Sequence, residues 1–467
     1  MTGTVAGAGS WRELFGRRYR GATIVLAGGV GIYAINEFIT MSMLPSAIDD
    51  IGGARLYAWV TTVYLVASVI GATTVGPVLT RFGPRGSYLG ALLSFAAGTA
   101  VCMMAPSMPV LLVGRTIQGF AGGVLAGLGY AVISAVLPER LWPRAAATVS
   151  AMWGVGTLIG PASGGLFAQL GFWRGGFALL LVLAALVCIL VPIALPDSPG
   201  GITSALRIPA LSLALLGLAA LIVSLAAVQT DPVLTAVLLV LSVALVVVFV
   251  AVDRTATATV LPRAVFRPGP LKWIYLALGL LMAATMVDMY VPLFGQRLAG
   301  LSPVMAGFMG AALSVGWTLA EIGSASISSR TTAARVVTVA PLVMAVGLGL
   351  AAVTQRDGAG PLMVAVWALA LVITGAGIGS AWPHLSVWAM GSGPQEGVGD
   401  PAERAIASAA VNTVQLICGA FGAGLAGVVV NLRVTPDGAA ARSVFALFAA
   451  LAAVGVLVSR RAARPTA

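Results

Sequence analysis

Long apolar runs, broken by short polar stretches, follow one another from about residue 20 to residue 460. A helix needs about 20 apolar residues to cross a bilayer. By that rule the chain predicts spans at 22–46, 57–79, 87–105, 109–137, 145–170, 175–195, 208–228, 233–252, 272–296, 303–327, 335–354, 361–390, 405–431 and 440–459, fourteen in all. Spans 7 and 8 are the plainest, nearly all Leu, Val and Ala from Leu211 to Val252. Span 5 is the oddest. Its stretch Gly156-Thr157-Leu158-Ile159-Gly160-Pro161-Ala162-Ser163-Gly164-Gly165 holds four glycines and a proline. In water each interior Gly costs about 1 kcal/mol against Ala, and Pro about 3. In lipid the backbone has no water to bond with and stays helical. The glycines then admit a close neighbour and the proline supplies a kink. Span 5 is therefore expected to be bent and tightly packed.

Two six-span sets stand out. Spans 1–6 and 9–14 are weak repeats, each with a short basic loop after its second span and glycine-rich runs in its fourth and fifth. These runs are Gly119–Gly129 and Gly156–Gly165 in the first set, Gly375–Gly379 and Gly419–Gly427 in the second. The predicted organisation is a tail at 1–21, a six-helix bundle at 22–197, two additional helices at 198–256, a cytoplasmic connector at 257–271, a second bundle at 272–459 and a tail at 460–467. Such paired halves are a transporter pattern. The fold class is all-α integral membrane, with spans 7 and 8 expected at the periphery beside the connection between bundles.

Composition agrees. Of 467 residues, 59% are apolar and 9% charged, against about 25% charged in soluble domains. The net charge of +11 invites a nucleic-acid reading, but the charges fall in short loops between spans. With the N-terminus inside, nineteen of the 26 basic residues are cytoplasmic, six are outside and Arg115 lies within span 4. That bias orients both termini to the cytoplasm of a multi-pass protein in the cell membrane. The start is read as an uncleaved tail, and Gly391 to Pro401 as a cytoplasmic loop. Cys102, Cys188 and Cys418 all lie in apolar runs, without disulfide or metal-ligand spacing.

Three motifs resemble the major facilitator superfamily, and within it the fourteen-span drug:proton antiporters of the DHA2 group. After span 2, the stretch from Gly76 through Thr80, Arg81 and Gly83 to Arg85 resembles the loop pattern G-x-x-x-D-R-x-G-R-R. In span 4, Arg115-Thr116-Ile117-Gln118-Gly119 looks like R-x-x-Q-G. In span 5, Gly156, Gly160, Pro161, Gly164 and Gly165 match the antiporter signature G-x-x-x-G-P-x-x-G-G at every specified position. The resemblance implies two bundles rocking around a midplane cavity and a proton gradient as energy source, with no cofactor or metal. It also implies amphipathic small molecules as substrates, and a monomer is expected. Two departures follow. Thr80 replaces the loop aspartate, whose family role is to latch the gate partly by facing a helix N-terminus. In span 1, where the family has D-x-x-x-x-N-x-x-L-P, Asn36 holds the Asp slot and Met41 the Asn slot, with Glu37 one position along. In that frame the span 5 glycines are expected to meet the second bundle near span 10 and seal the cavity.

Few ionisable groups fall deep in spans: Glu37, Arg115, Asp288, Glu321 and His384. Charge at mid-bilayer costs about 2.5–3.5 kcal/mol on insertion scales, so such groups face a wet cavity or a partner. Burial favours a protonated carboxyl and a nearby guanidinium an ionised one. A carboxyl that alternates between those settings carries protons. Glu37 and Arg115 are expected to approach each other between spans 1 and 4, with Glu37 exchanging protons, binding cationic substrate or serving as a fixed structural partner. Asp288 and Glu321 are further coupling candidates, the first also readable as wetted at the mouth and the second as a gate or loop residue. Asp49 and Asp50 read as a solvated rim. Asn36, Gln118, Tyr64, Tyr130, Trp153, Tyr290, Trp317, Trp382 and His384 are cavity candidates, as are Trp59 and Trp388. Aromatic faces suit flat cationic ligands, though Trp and Tyr also gather at membrane interfaces. There is no nucleophile triad, zinc cluster or P-loop in a credible setting, so an enzyme is not expected. Proton-coupled drug efflux is the favoured reading. Export of one endogenous metabolite or lipid by the same fold is its rival, and a non-transporting sensor or scaffold is a third.

Overall fold

Among the described residues, fourteen helices long and apolar enough to cross a membrane follow in order: Arg20–Ile51, Ala54–Thr73, Val75–Met103, Met108–Ala131, Glu139–Gln169, Arg174–Ala194, Ala210–Val228, Pro232–Thr255, Leu271–Ala299, Pro303–Ala325, Arg330–Thr354, Pro361–Ala389, Ala409–Asn431 and Gly438–Ala462. They are spans 1 to 14 below. This computed structural model describes residues 10–197, 208–327, 329–390, 401–432 and 438–464. The loop read from Gly391 lies, up to Pro401, outside the described residues. No strand occurs among those described.

Spans 2 and 3 differ most from expectation. Span 2 stops at Thr73, and the motif stretch from Gly76 is itself helical up to Gly83. Gly83 has φ 65° and ψ 178°, a left-handed conformation that glycine adopts without steric cost. Pro84 then restarts the helix with its fixed φ. Span 9 is interrupted too. A 3₁₀ turn, Met286–Tyr290, separates Leu271–Thr285 from Val291–Ala299.

The chain divides into two compact units. The first comprises Met1–Met43 and Ala67–Ile208, the second Leu44–Val66 and Pro209–Ala467. The division therefore runs through spans 1 and 2 rather than between two six-span sets.

Within each unit the same packing device recurs. In the first, spans 2 and 4 meet through Gly71 against the Phe120 carbonyl and Gly123 against the Ser68 carbonyl. Spans 3 and 4 meet through Gly98, where a Cβ would lie 2.7 Å from the Gln118 nitrogen. In the second unit, spans 10 and 12 meet through Gly316 against the Val372 carbonyl and Gly375 against the Leu313 carbonyl. Spans 11 and 12 meet through Gly347, where a Cβ would lie 2.6 Å from the Ala370 carbonyl oxygen. Second-on-fourth and third-on-fourth contacts thus repeat. Small residues let the backbones approach where apolar burial gives no advantage over lipid.

Spans 7 and 8 part company. Span 8 presents Val233, Val240, Val243 and Val247 outward, as expected of a peripheral helix. Span 7 is held by the rest of its unit. Ser224 Oγ donates to Thr62 Oγ1 at 2.8 Å, and the Trp59 indole donates to the Ser224 carbonyl at 2.8 Å. Gly424 and Gly427 of span 13 press on Ser224 and Ala227. Trp59, a cavity candidate by sequence, is therefore a fastener.

Ahead of span 1, a short helix Trp11–Leu14 starts at Ser10, whose Oγ accepts from Glu13 N at 3.1 Å. Arg140 Nη2 donates to Glu13 Oε1 at 2.5 Å. This hydrogen bond from Arg140 holds the Glu13 carboxyl below the usual carboxylate range. A lowered native pKa stabilises the pair above the ordinary carboxylate range, and that contribution disappears as pH falls through the lowered value. Protease protection of this N-terminal segment should therefore fall on acidification. Arg140→Gln should remove the pH dependence, and an unchanged profile in that variant would refute the link.

Candidate functional site

The buried chemistry of the first unit centres on Arg115 in span 4, which is 2% exposed. Its Nη1 donates to Gln118 Oε1 at 3.0 Å, Asn36 Oδ1 at 3.2 Å and Thr40 Oγ1 at 3.3 Å. Gln118 Nε2 donates to Thr99 Oγ1 at 2.8 Å, and Thr99 donates to the Phe95 carbonyl at 2.7 Å. A buried cation is tolerated only when hydrogen-bonded, and here neutral oxygens from spans 1 and 4 surround it. Asn36 keeps one orphan, its fully buried Nδ2, without a partner among the described residues.

The sequence reading set Glu37 against Arg115, but the structure puts Asn36 and Thr40 in direct contact. Positions four apart share a helix face, whereas the next position is turned by about 100°. Span 4 packs on the 36/40 face, so Glu37 is rotated half out of the packing. It is half-buried and within electrostatic reach of Arg115. It forms no ion pair or hydrogen bond among the described residues. Thr40 and Thr99 were missed by sequence reasoning. Thr40 carried one signal, its four-residue spacing from Asn36.

The span 5 signature packs elsewhere than expected. A Cβ at Gly156 would lie 2.9 Å from Ala34, one at Gly160 would run into the Phe38 Cβ, and one at Gly164 would lie 2.7 Å from the Ile39 carbonyl oxygen. The neighbour these glycines admit is span 1, on the turns that flank Glu37, where span 10 was expected. Gly165 and Pro161 are buried in the same helix, and Ser42 Oγ donates to the Pro161 carbonyl at 3.5 Å. Trp153, on the preceding turns, meets Tyr33 edge-on with centroids 5.7 Å apart. Tyr130 is largely exposed, its hydroxyl 3.0 Å from Ser150 Oγ.

The loop motif works locally. Thr80 Oγ1 donates to the Pro77 and Gly76 carbonyls at 2.8 and 3.2 Å. Its proton is thus committed to its own helix, and it makes no substitute for a carboxylate facing a helix N-terminus. Arg85 pairs with Asp197 at 3.0 Å and reaches the Pro192 carbonyl, tying the kink of span 3 to the end of span 6 and the residues just past it. Arg81 lies over Phe82 at 5.4 Å.

In the second unit Asp288 is half-buried on the 3₁₀ break of span 9, within electrostatic reach of Tyr57. The Tyr57 hydroxyl donates to the Met289 carbonyl at 2.9 Å, and its ring stacks on Tyr290 at 4.6 Å. Asp49 pairs with Arg297 at 2.6 Å, both more than half exposed, which matches a solvated rim. Tyr64 and Tyr290 are fully buried. Gln118 and Asn36 are likewise fully buried.

Spans 10 and 12 bring five candidates together. Trp317 Nε1 donates to Glu321 Oε2 at 2.8 Å, and the Trp317 and Trp382 rings lie 5.3 Å apart at 57°. One turn further, His384 Nε2 is 2.9 Å from Ser324 Oγ, which donates to the Ser380 carbonyl at 2.6 Å. Trp388 lies 6.4 Å from the His384 ring. No group of His, Cys, Asp and Glu suited to a metal occurs among the described residues.

Comparison with known proteins agrees with this architecture. The chain is 58% identical over 468 residues to "Probable multidrug-efflux transporter Rv1634" of Mycobacterium tuberculosis, covering 99% of this chain and 98% of that one. It is 24% identical over 409 residues to "Multidrug transporter protein MdtP" of Bacillus subtilis, covering 86% and 73%. The solved nucleoside transporter NupG matches with a TM-score of 0.66 at 14% identity, over 94% of this chain and 98% of that one. The D-xylose-proton symporter matches with a TM-score of 0.65 at 16% identity, over 95% and 97%. At those identities the structures speak for the fold alone. Residues 26–423 match the family described as Major Facilitator Superfamily, and by that match and by its nearly full-length relative this fourteen-span chain belongs to the Major Facilitator Superfamily.

Proposed function

We propose that this protein exports amphipathic small molecules, drugs included, across the cytoplasmic membrane in exchange for protons. The observation that carries the reading is Glu37. It is a half-buried carboxyl in the middle of span 1, without an ion pair among the described residues and beside a buried guanidinium. Such a group is costly in a membrane unless it is used. Arg115 lies within its electrostatic reach, and hydration and a neighbouring charge both govern whether a carboxyl holds a proton. A small change in the distance to Arg115 or in hydration shifts the balance. This couples proton uptake to conformation and lets alternating access run on a proton gradient.

The multidrug transporters of Mycobacterium tuberculosis and Bacillus subtilis to which the chain is similar support the multidrug part of this reading. The bias of basic residues towards one side supports cytoplasmic termini. The energy source is the proton gradient, no cofactor is required, and the working unit is a monomer. The test uses purified protein in liposomes with an imposed pH gradient and a panel of cationic, zwitterionic and neutral dyes. Dye-dependent proton movement is expected for several chemically unrelated dyes. Absence of such movement across the panel would sink the antiport reading. Movement with a single compound only would favour export of one endogenous metabolite.

A further inference from the structure

One end of the second unit carries cations that no carboxylate answers among the described residues. Lys272 is the second residue of span 9, Arg460 and Arg461 lie in the last turn of span 14, and Arg464 follows just past it. All four are exposed. The two helices pack against each other, and a cation from each converges on one side chain. The Arg461 guanidinium carbon lies 4.5 Å from the centre of the Trp273 ring, and Lys272 Nζ lies 5.7 Å from it. An indole attracts a cation through its quadrupole without neutralising it. Trp273 therefore holds two like charges close together at the membrane edge. Neither cation forms an ion pair among the described residues. Asp253, at the end of span 8, is buried, and its two oxygens already accept from the Val260 and Leu261 nitrogens.

The surface beside the pair narrows the anion. Leu276 is four residues from Lys272 and Leu457 four from Arg461, so each shares its cation's helix face. Val454 continues the span 14 stripe three residues deeper. All three are exposed, Leu457 at 63%. Each cation thus heads an apolar stripe that runs from the membrane edge towards the middle of its span. Positive charge at the edge with apolar surface beneath matches a phospholipid, its phosphate at Lys272 and Arg461 and its acyl chains along Leu276, Leu457 and Val454. A soluble phosphate would use the first feature only. The headgroup must also be anionic overall. A headgroup bearing an ammonium is held by a carboxylate or an open aromatic face, and the Trp273 ring already carries two cations.

We propose that Lys272, Trp273 and Arg461 form a binding site for an anionic phospholipid, with the headgroup phosphate at the two cations and the chains on the outer faces of spans 9 and 14. In the orientation proposed above this end meets the cytoplasmic leaflet, which is the anionic one. The site stands apart from the export reading, and its test needs no transport. Equilibrium binding is measured by native mass spectrometry on the purified full chain in detergent. The probes are phosphatidylglycerol, phosphatidylcholine with the same acyl chains, and glycerol 1-phosphate as a soluble phosphate ester. Wild type should prefer phosphatidylglycerol to phosphatidylcholine about tenfold or more, the range expected for two surface cations acting on one anion. Lys272→Gln combined with Arg461→Gln should erase most of that preference. Lys272→Arg combined with Arg461→Lys keeps both charges and should retain it. Arg330→Gln combined with Arg335→Gln is the matched control, removing two exposed cations from the start of span 11 in the same unit, and should also retain it. Equal affinity of wild type for the two lipids would overturn the site. An equal loss in the control pair would overturn it too, since diffuse attraction to surface charge would then suffice. Glycerol 1-phosphate binding as tightly as phosphatidylglycerol would replace the lipid by a free phosphate ester and overturn it as well.

Discussion

Replacing Glu37 by glutamine should reduce substrate-driven proton movement in liposomes to the level of protein-free vesicles. The substitution keeps the size and hydrogen-bonding reach of the side chain and removes its ability to lose a proton. Glu37 holds no ion pair among the described residues, so no partner is left stranded. Arg115 keeps its three neutral acceptors, Asn36, Thr40 and Gln118. Thermal unfolding should therefore stay close to wild type, which separates a coupling defect from misfolding. Glu37→Asp should retain part of the flux, because the carboxyl survives on a shorter stem. Normal coupled flux in Glu37→Gln would move the proton site elsewhere, with Asp288 the next candidate.

Gly160→Leu should be the most destabilising single substitution in span 5. Even the first side-chain carbon would overlap the Phe38 Cβ and come within 3.1 Å of the Ile39 nitrogen. Neither obstacle is the flexible end of a side chain, so span 5 must move away from span 1. Overpacking of this kind costs about 1–3 kcal/mol, and more where backbone must shift. The displaced turns of span 1 flank Glu37, so transport should fall with stability. Gly154→Leu is the matched control on the same helix, since a Cβ there meets nothing within 4 Å. The measurement is the unfolding temperature in detergent. A clear drop for position 160 with little change at 154 is expected, and equal behaviour of the two would refute tight packing as the reason for the glycine.

Much of the fold was legible because the bilayer imposes a length and a polarity that sequence records directly. The fourteen spans are all present, and the largest boundary shift, at spans 2 and 3, came from a motif stretch that remains helical until Gly83. The glycine runs announced close packing correctly but not their partners. A small side chain says that something approaches, and only the three-dimensional path of span 1 says what. The site shows the same limit at finer scale. Glu37 drew attention because it is charged, yet Asn36 and Thr40 reach Arg115 because span 4 packs on their face. One position along a helix is about 100° of rotation, and hydropathy alone does not fix rotation in a span that is apolar nearly all round. The aromatic candidates divided for a related reason. Trp317, Trp382 and Glu321 lie at spacings that bring them together on adjacent helices, whereas Tyr64 and Tyr290 are interior packing groups.

Span 7 bears on how a fourteen-span protein differs from a twelve-span one. An inserted helix pair that merely floated beside the core would be a module, open to excision. Here removal would strip the acceptor from the Trp59 indole and from Asn431 Nδ2, which donates to the Ala227 carbonyl at 2.9 Å. It would also lay bare the glycine face of span 13 at Gly424 and Gly427. Span 8 alone has the outward face of a dispensable element. A shortened version of this protein would need span 13 redesigned with larger apolar side chains before it could be expected to fold.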